Sequence, residues 1–401
     1  MKEPKIRFKG FEGEWETCTI KDICELNPKA DTPDEFEYVD LESVVGTEMV
    51  SHRKELKKNA PSRAQRLAKK GDIFYQTVRP YQKNNYLFDK DNSNYVFSTG
   101  YAQLRAVINQ SYLFTLIQSS SFVNTVLLEC TGTSYPAINP TKLSNIKIHI
   151  IRNEKIQQSI ASFFTSIDAQ ISASTSRLAS LKQIKAASLQ AMFPQEGETV
   201  PKLRFKGFEG GWEKVKLSDC LEISNERNLN NEFGINEVLS VSDEEGVMNQ
   251  IKLLGRSYAG KSVTNYKVLR TNQVVYTKSP LKAKPYGIVK VNKGEIGIVS
   301  VLYAVYDAKD GVSSDYIHYY FEPTFRINNY LQPLINKGAK NTMNISDETS
   351  LQGNIVIPKT IDEQCKIVEY FQSLDRQITL QSQRLEKLKQ IKAACLDKMF
   401  V

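Results

Sequence analysis

Apolar residues recur at alternating steps of four and three along two stretches of the chain. Ile160, Phe164, Ile167, Ile171, Ser174, Leu178, Leu181, Lys185 and Ser188 form one series; Ile367, Phe371, Leu374, Ile378, Gln381, Leu385, Leu388, Lys392 and Cys395 form the other. This is heptad spacing, which keeps one seam of a helix turned toward a partner. It predicts helices from Glu154 to Phe193 and from Glu363 to Phe400, each roughly 55 to 60 Å long at about 1.5 Å per residue. A small domain does not cover so long a seam, so each helix is expected to bury against the other. Antiparallel packing is expected, because related halves tend to pack about a pseudo-twofold axis. The polar Ser174 and Gln381 interrupt both seams at the same heptad, where they can set register. In the competing arrangement each helix packs on its own domain.

The two helices belong to a doubled sequence. ISASTSRLASLKQIKAASLQAMF (Ile171 to Phe193) returns as ITLQSQRLEKLKQIKAACLDKMF (Ile378 to Phe400) at an offset of 207. PKIRFKGFEGEW (Pro4 to Trp15) returns as PKLRFKGFEGGW (Pro201 to Trp212), with ten of twelve residues matching at an offset of 197. The blocks between these repeats are therefore nearly equal in length, although their sequences differ. They hold strand-like runs: GDIFYQTV (Gly71 to Val78), KLSNIKIHII (Lys142 to Ile151), NQVVYTK (Asn272 to Lys278) and GIVSVLYAVYD (Gly297 to Asp307). Tyr75 and Tyr276 each follow an apolar pair and stand shortly before a proline, Pro80 or Pro280, that opens a polar loop. The expected fold is mixed α+β, with two similar globular domains separated by two long antiparallel helices. Its expected parts are an arm (1–15), a first domain (16–152), a central helix and linker (153–200), a second arm (201–212), a second domain (213–360) and a closing helix (361–401).

Length and composition fit this division, since 401 residues with 41% hydrophobic content suit two or three domains. The start, MKEPKIRFKG, is charged where a secretory signal needs an apolar core. No run approaches the 18 or so apolar residues that span a membrane, so a cytoplasmic protein without membrane contact is expected. Net charge is +8, and it is unevenly placed. Between Gly246 and Gly294 there is no Asp or Glu, against Lys252, Arg256, Lys261, Lys267, Arg270, Lys278, Lys282, Lys284, Lys290 and Lys293. Leu56 to Phe88 holds Lys57, Lys58, Arg63, Arg66, Lys69, Lys70, Arg79 and Lys83 against Asp72 alone.

One such run is ordinarily a solvated face. Two at corresponding places point to phosphate neutralisation, with Lys57, Lys58, Lys69, Lys70, Lys261 and Lys267 as candidate phosphate contacts. Within the runs lie the loops TVRPYQKNNY (Thr77 to Tyr86) and TKSPLKAKPYG (Thr277 to Gly287). Their Arg79, Gln82, Lys83, Asn84 and Asn85, and their Lys278, Lys282 and Lys284, are candidates for base edges. Arg79 leads, because a guanidinium fork fits guanine O6 and N7. GTSYPAIN, Gly132 to Asn139, is the next segment to consider. Ordinary turn chemistry is the competing account of both loops.

Catalytic and metal signatures are sparse. Six cysteines form no C-x-x-C pair and only three histidines accompany them, so incidental thiols are expected rather than a metal site. GRSYAGKS, Gly255 to Ser262, fits the P-loop pattern, and VLYAVYD ending at Asp307 could serve as a Walker B strand. A P-loop must open a helix, whereas SVTNYKVLRTNQVVY reads as loop and strand. Asn27-Pro28-Lys29-Ala30 begins like the Asn-Pro-Pro-aromatic signature of adenine methyltransferases but lacks its second proline and aromatic residue. A P-loop NTPase and a coiled-coil adaptor without DNA function are the alternatives to a DNA-binding role.

The order F-K-G-F-x-G-x-W, variable block, then E-Q-x-x-I-x-x-x-F-x-x-x-D-x-x-I followed by L-x-x-L-K-x-x-K-x-x-x-L-x-x-M-F resembles the specificity subunit of type I restriction-modification enzymes. The closing pattern stands at Glu363, Gln364, Ile367, Phe371, Asp375, Ile378, Leu385, Leu388, Lys389, Lys392, Leu396, Met399 and Phe400. In the first half Gln157 matches Gln364, but Ile156 replaces Glu363. The resemblance implies two target-recognition domains held apart by antiparallel helices, and a bipartite site on double-stranded DNA. It also implies docking of two adenine-methylating (M) subunits, to which restriction (R) subunits are added. No catalytic residue or cofactor is implied for this chain; S-adenosylmethionine, ATP and Mg are expected on the partner subunits. Half-sites read from one face lie about 34 Å apart.

Overall fold

A computed structural model describes residues 4–11, 14–92, 94–260, 262–281, 283–337 and 343–400. Two helices, Glu154–Ala191 and Ile361–Met399, run for 38 and 39 residues where the heptads predict them. The chain forms two compact domains, one of Met1–Ser176 with Ser382–Val401 and one of Arg177–Gln381. Both divisions fall inside the long helices, beside the polar Ser174 and Gln381. Each domain thus owns the front of one long helix and the back of the other.

Within each domain the two helical segments run antiparallel. In the first, Ile160, Phe164 and Ile167 are buried, the Phe164 ring lies 6.2 Å from that of Phe400, and Asp168 Oδ1 meets Lys392 Nζ at 2.5 Å. In the second, Leu181, Ile367, Phe371 and Leu374 are buried, and Lys185 Nζ meets Asp375 Oδ1 at 2.6 Å. The offset of 207 carries Asp168 onto Asp375 and Lys185 onto Lys392, so the same ion pair forms twice.

The rest of each domain follows one plan. In the first, Cys24–Leu26, Tyr101–Ala106, Ile73–Gln76 and Tyr86–Leu87 form an antiparallel sheet in that order. Leu221–Ile223, Tyr303–Ala308, Val274–Thr277 and Val289–Val291 form its counterpart in the second. A two-stranded ribbon precedes each long helix, Glu16–Thr19 with Lys147–Ile150 and Glu213–Lys216 with Asn354–Ile357. Helices Gln110–Ile117 and Ser120–Glu129, and in the second domain Ser314–Phe321 and Thr324–Leu331, share the core with the sheet. The domains differ in their additions. The first adds a four-stranded sheet in the order Arg53–Leu56, Glu35–Val39, Tyr95–Ser98, Ala64–Leu67, with one parallel pair. The second adds the hairpin Leu239–Ser242 with Gly246–Asn249 and the pair Lys267–Leu269 with Gly297–Val299.

Two strand expectations are corrected. Lys142 to Ile151 is extended only over Lys147–Ile150, because Pro140 and the Asn139 cap, whose side chain accepts from the Lys142 N–H, start a helical turn. Gly297 to Asp307 breaks at Ser300–Leu302 into two strands that join different sheets.

The repeated arms close these cores. Trp15 stands edge-on to Phe400 at 6.2 Å, and Trp212 stands edge-on to Phe193 at the same distance. Phe400 also lies against Tyr112, as Phe193 lies against Tyr316. Gln157 and Gln364 play one part: each accepts from the backbone N–H of the residue capping the first core helix, Asn109 at 3.2 Å and Ser313 at 2.9 Å. The buried Glu363 takes a two-point contact from Arg204 at 2.7 and 2.9 Å and the Trp212 indole N–H at 3.2 Å. Ile156 fills that place in the first domain, packed in its apolar core.

Phe193 is 0% exposed and faces four aromatic rings. Phe193→Ala is expected to cost about 3 to 5 kcal/mol, read as a lower denaturation midpoint at unchanged slope. Phe400→Ala should cost a comparable amount in the first domain, and a loss under about 1 kcal/mol in either would show that the socket closes around the gap.

Candidate nucleic-acid interface

The two candidate loops connect corresponding strands. One joins Ile73–Gln76 to Tyr86–Leu87, and the other joins Val274–Thr277 to Val289–Val291. In the first, Arg79 and Lys83 adopt left-handed backbone, φ 55° and 56°, on either side of the single turn Pro80–Gln82. Side chains other than glycine pay for that conformation, so surrounding contacts must impose it. Asn85 Oδ1 accepts from the Gln76 N–H at 2.8 Å, Gln76 Nε2 donates to Gln82 Oε1 at 2.9 Å, and Asn84 Oδ1 accepts from the Gly46 N–H at 2.8 Å. The Arg79 N–H donates to Pro136 O at 2.7 Å, and Val78 bridges to Ala137. The Arg79 guanidinium stacks 4.0 Å from the ring centre of Tyr135, which is 64% exposed. Arg79 has no carboxylate partner among the described residues.

These contacts sort the first-loop candidates. Asn85 is 1% exposed and serves as the internal brace of the loop, which corrects its reading as a base contact. Lys83 is half-buried and its Nζ donates to Gln118 O at 2.9 Å, a second correction. Gln82 and Asn84 spend their carbonyl oxygens within the first domain and keep an amide group for other contacts. Arg79 remains, joined by Tyr135 from the GTSYPAIN segment, a pairing that sequence spacing does not reveal. Outside the loop, Lys57, Lys58 and Lys69 are exposed without a carboxylate partner among the described residues, and Lys70 pairs with Asp91 at 2.6 Å.

The second basic run is largely neutralised by carboxylates from elsewhere in the chain. Lys267 and Lys278 both pair with Asp347. Lys284 and Lys290 meet Asp243 at 2.8 and 3.4 Å, Arg270 meets Glu226 at 2.6 Å, and Lys293 meets Asp315 at 2.7 Å. Lys267, 6% exposed, is therefore a core residue rather than a phosphate contact, and Lys278 and Lys284 are committed to internal partners rather than to base edges. Burial alone would raise the Asp347 carboxyl, but hydrogen bonds from Lys267 and Lys278 hold it below its ordinary value. Lys261 and Lys282 lie outside the described residues. Exposed cations persist at Lys252 and at Arg256, whose guanidinium stacks 4.6 Å from the exposed Tyr258 ring.

The P-loop reading finds no support. Gly255 ends the five-residue helix Gln250–Leu254 in left-handed backbone, and the next regular element is the strand Lys267–Leu269. Among the described residues no helix N-terminus is there to receive a phosphate. Asp307 accepts from Gln273 Nε2 at 2.8 Å, occupying the place that Arg105, paired with Asp72, holds in the first domain. Among the described residues no cluster of His, Cys, Asp or Glu is arranged to hold a metal ion.

A duplicated fold that sets a loop braced from within at the same sheet position in each domain defines a class: two-domain proteins that present one equivalent loop per domain. The family described as type I restriction modification DNA specificity domain matches residues 12–183 and again 209–390, and the chain belongs to it. Over 142 residues it is 30% identical to the type I restriction enzyme HindI specificity subunit of Haemophilus influenzae, a match covering 34% of this chain and 30% of that protein. The match thus spans less than a third of the curated relative's length. The type-I restriction-modification system S subunit from M. genitalium shares the fold, with a TM-score of 0.60 at 12% identity over 100% of this chain and 99% of that one. So does a chain from a structure concerned with complex assembly and conformational transition of the type I R-M system, with a TM-score of 0.56 at 21% identity over 97% and 98%.

Asp347→Asn leaves the buried Lys267 ammonium and the half-buried Lys278 ammonium without a counter-ion and is expected to cost about 3 to 5 kcal/mol. The folded carboxyl titrates below its unfolded value, so its contribution is complete above about pH 4 and is lost as pH falls through the folded value. Denaturation midpoints from pH 3 to 7 should lose that acid-dependent component in Asp347→Asn. Lys267→Met should lower stability and leave the salt dependence of DNA binding unchanged; a smaller salt slope would restore it as a phosphate contact.

Proposed function

We propose that this chain is the non-catalytic, DNA-reading subunit of a type I restriction-modification assembly, and that each domain recognises one half of a bipartite site on double-stranded DNA. The observation that carries this reading is the loop at one sheet position in both domains, with Arg79 held in strained backbone, stacked on Tyr135 and free of a carboxylate. A strained, preset arginine fork suits the edge of guanine in a major groove. The exposed Lys57, Lys58 and Lys69 supply phosphate contacts. The long helices receive two methyltransferase (M) subunits, and restriction (R) subunits join that assembly. The M and R subunits, rather than this chain, bind S-adenosylmethionine, ATP and Mg. The assembly acts in the cytoplasm in this reading; no described helix is long and apolar enough to cross a membrane.

Methylome sequencing of cells carrying this gene with its M partner is expected to show a two-part adenine-methylated motif. Exchanging Glu16–Arg152 for the block of a related subunit should change one half of that motif, and a change in both halves would sink the one-domain, one-half-site reading. The purified chain should not turn over ATP.

Arg79→Ala should cost about 1 to 3 kcal/mol on the cognate site and relax one base position. Lys57→Ala and Lys58→Ala should each weaken all duplexes alike and lower the salt slope by about one. An even loss for Arg79→Ala across every single-base variant would make it a phosphate contact instead.

A further inference from the structure

One contact is made in both domains by loops whose sequences share little. Lys83 Nζ donates to Gln118 O at 2.9 Å, and Lys284 Nζ donates to Glu322 O at 3.1 Å. Gln118 and Glu322 close the corresponding helices Gln110–Ile117 and Ser314–Phe321. The last carbonyls of a helix lack intrahelical partners and carry its partial negative charge, so an ammonium group is a fitting cap.

In each loop this lysine is also the backbone node. Lys83 holds left-handed backbone and its N–H closes the turn on Pro80 O. The Lys284 N–H and carbonyl form a reciprocal pair with Leu281 at 3.0 Å each, and Lys284 O also accepts from the Gly287 N–H at 3.0 Å. Gly287 has φ 84°, and a Cβ there would lie 2.0 Å from Thr277 O, so only glycine fits where the second loop returns to its strand.

In the second domain the anchor point is itself held by the long helices. Glu322 Oε1 meets Lys185 Nζ at 2.5 Å, and Lys185 meets Asp375 at 2.6 Å. Burial would lower the Lys185 ammonium, but Glu322 and Asp375 outweigh it and hold the group above its ordinary value. In the first domain burial holds the Lys83 ammonium below its ordinary value, which makes its bond to the Gln118 carbonyl the contact that keeps it in place.

We propose that Lys83 and Lys284 are positioning residues: each ties its reading loop to a helix end, and thereby sets sequence discrimination at one half-site without touching DNA. This deepens the function proposed above and rests on it. A lost tether frees the loop to sample other conformations, which blurs discrimination over the several bases of that half-site. Phosphate neutralisation is unaffected.

The test begins with the full-length wild-type chain, whose cognate site is selected from a pool of random duplexes. Dissociation constants for wild type, Lys83→Met, Lys83→Arg and Lys284→Met are then measured on that site and on every single-base variant, at several salt concentrations, with thermal melts to confirm folding. Lys83→Met should lose about tenfold in discrimination across one half-site, with the other half-site and the salt slope unchanged. Lys83→Arg, which keeps a cationic donor, should restore it. Lys284→Met should do the same to the other half-site.

An even loss on all duplexes with the slope reduced by about one would make these lysines phosphate contacts. Loss at a single base position would make them base readers, and unchanged discrimination would make them bystanders; each outcome overturns the proposal. If Lys83→Met does not fold, a Lys83→Arg variant that folds but discriminates no better than a fully substituted loop overturns it too. Failure of the wild-type chain to select any duplex would sink the DNA-reading function itself, and the positioning role with it.

Discussion

Each long helix leads into a phenylalanine just past its last turn that must be buried in a domain other than the one where the helix begins. Phe193 closes the core that holds Trp212 and Tyr316, and Phe400 closes the core that holds Trp15 and Tyr112. The first core is not complete from contiguous sequence, since it needs residues 382–401, whereas the second is one continuous run, 177–381, that takes in the back of the first long helix. The arms recur because the sockets recur, and a tryptophan supplies the ring that meets each helix end edge-on, an orientation aromatic pairs favour. The twin ion pairs, Asp168 with Lys392 and Asp375 with Lys185, hold both seams in one register.

Upon this shared frame the domains spend their polar groups differently. The first stabilises its loop with amide side chains, Gln76, Gln82, Asn84 and Asn85. The second uses charge, setting Asp243 and Asp347 among four lysines. Removing ions from water is costly, so buried lysines require such carboxylates. Cations in that run consequently work mainly as internal braces, and the surface available to phosphates is narrower than ten basic residues imply. The first domain pairs its arginine with an aromatic face rather than an acid, so no carboxylate among the described residues neutralises the guanidinium.

The heptads, the two repeats and the mixed α+β pattern were legible in the sequence because they depend on local periodicity. A seam of apolar residues every three or four positions specifies a helix whatever surrounds it, and the equivalence of Gln157 with Gln364 follows from a constant offset. That each candidate loop follows a strand was legible too, from an apolar run, a proline and a polar stretch, whereas the strand that receives it was not. What the chain alone did not decide is which charges are spent. Asp347 lies 80 residues from Lys267 and Asp243 lies 41 residues from Lys284, so a run without acids in sequence can be neutral in space. Lys83 and Arg79 stand four residues apart in one loop, yet one caps a helix and the other stacks on Tyr135 from a distant segment. Local pattern determined the elements; long-range pairing of charge and hydrogen bonds, which only the folded chain brings within reach, decided which side chains are left to meet a ligand.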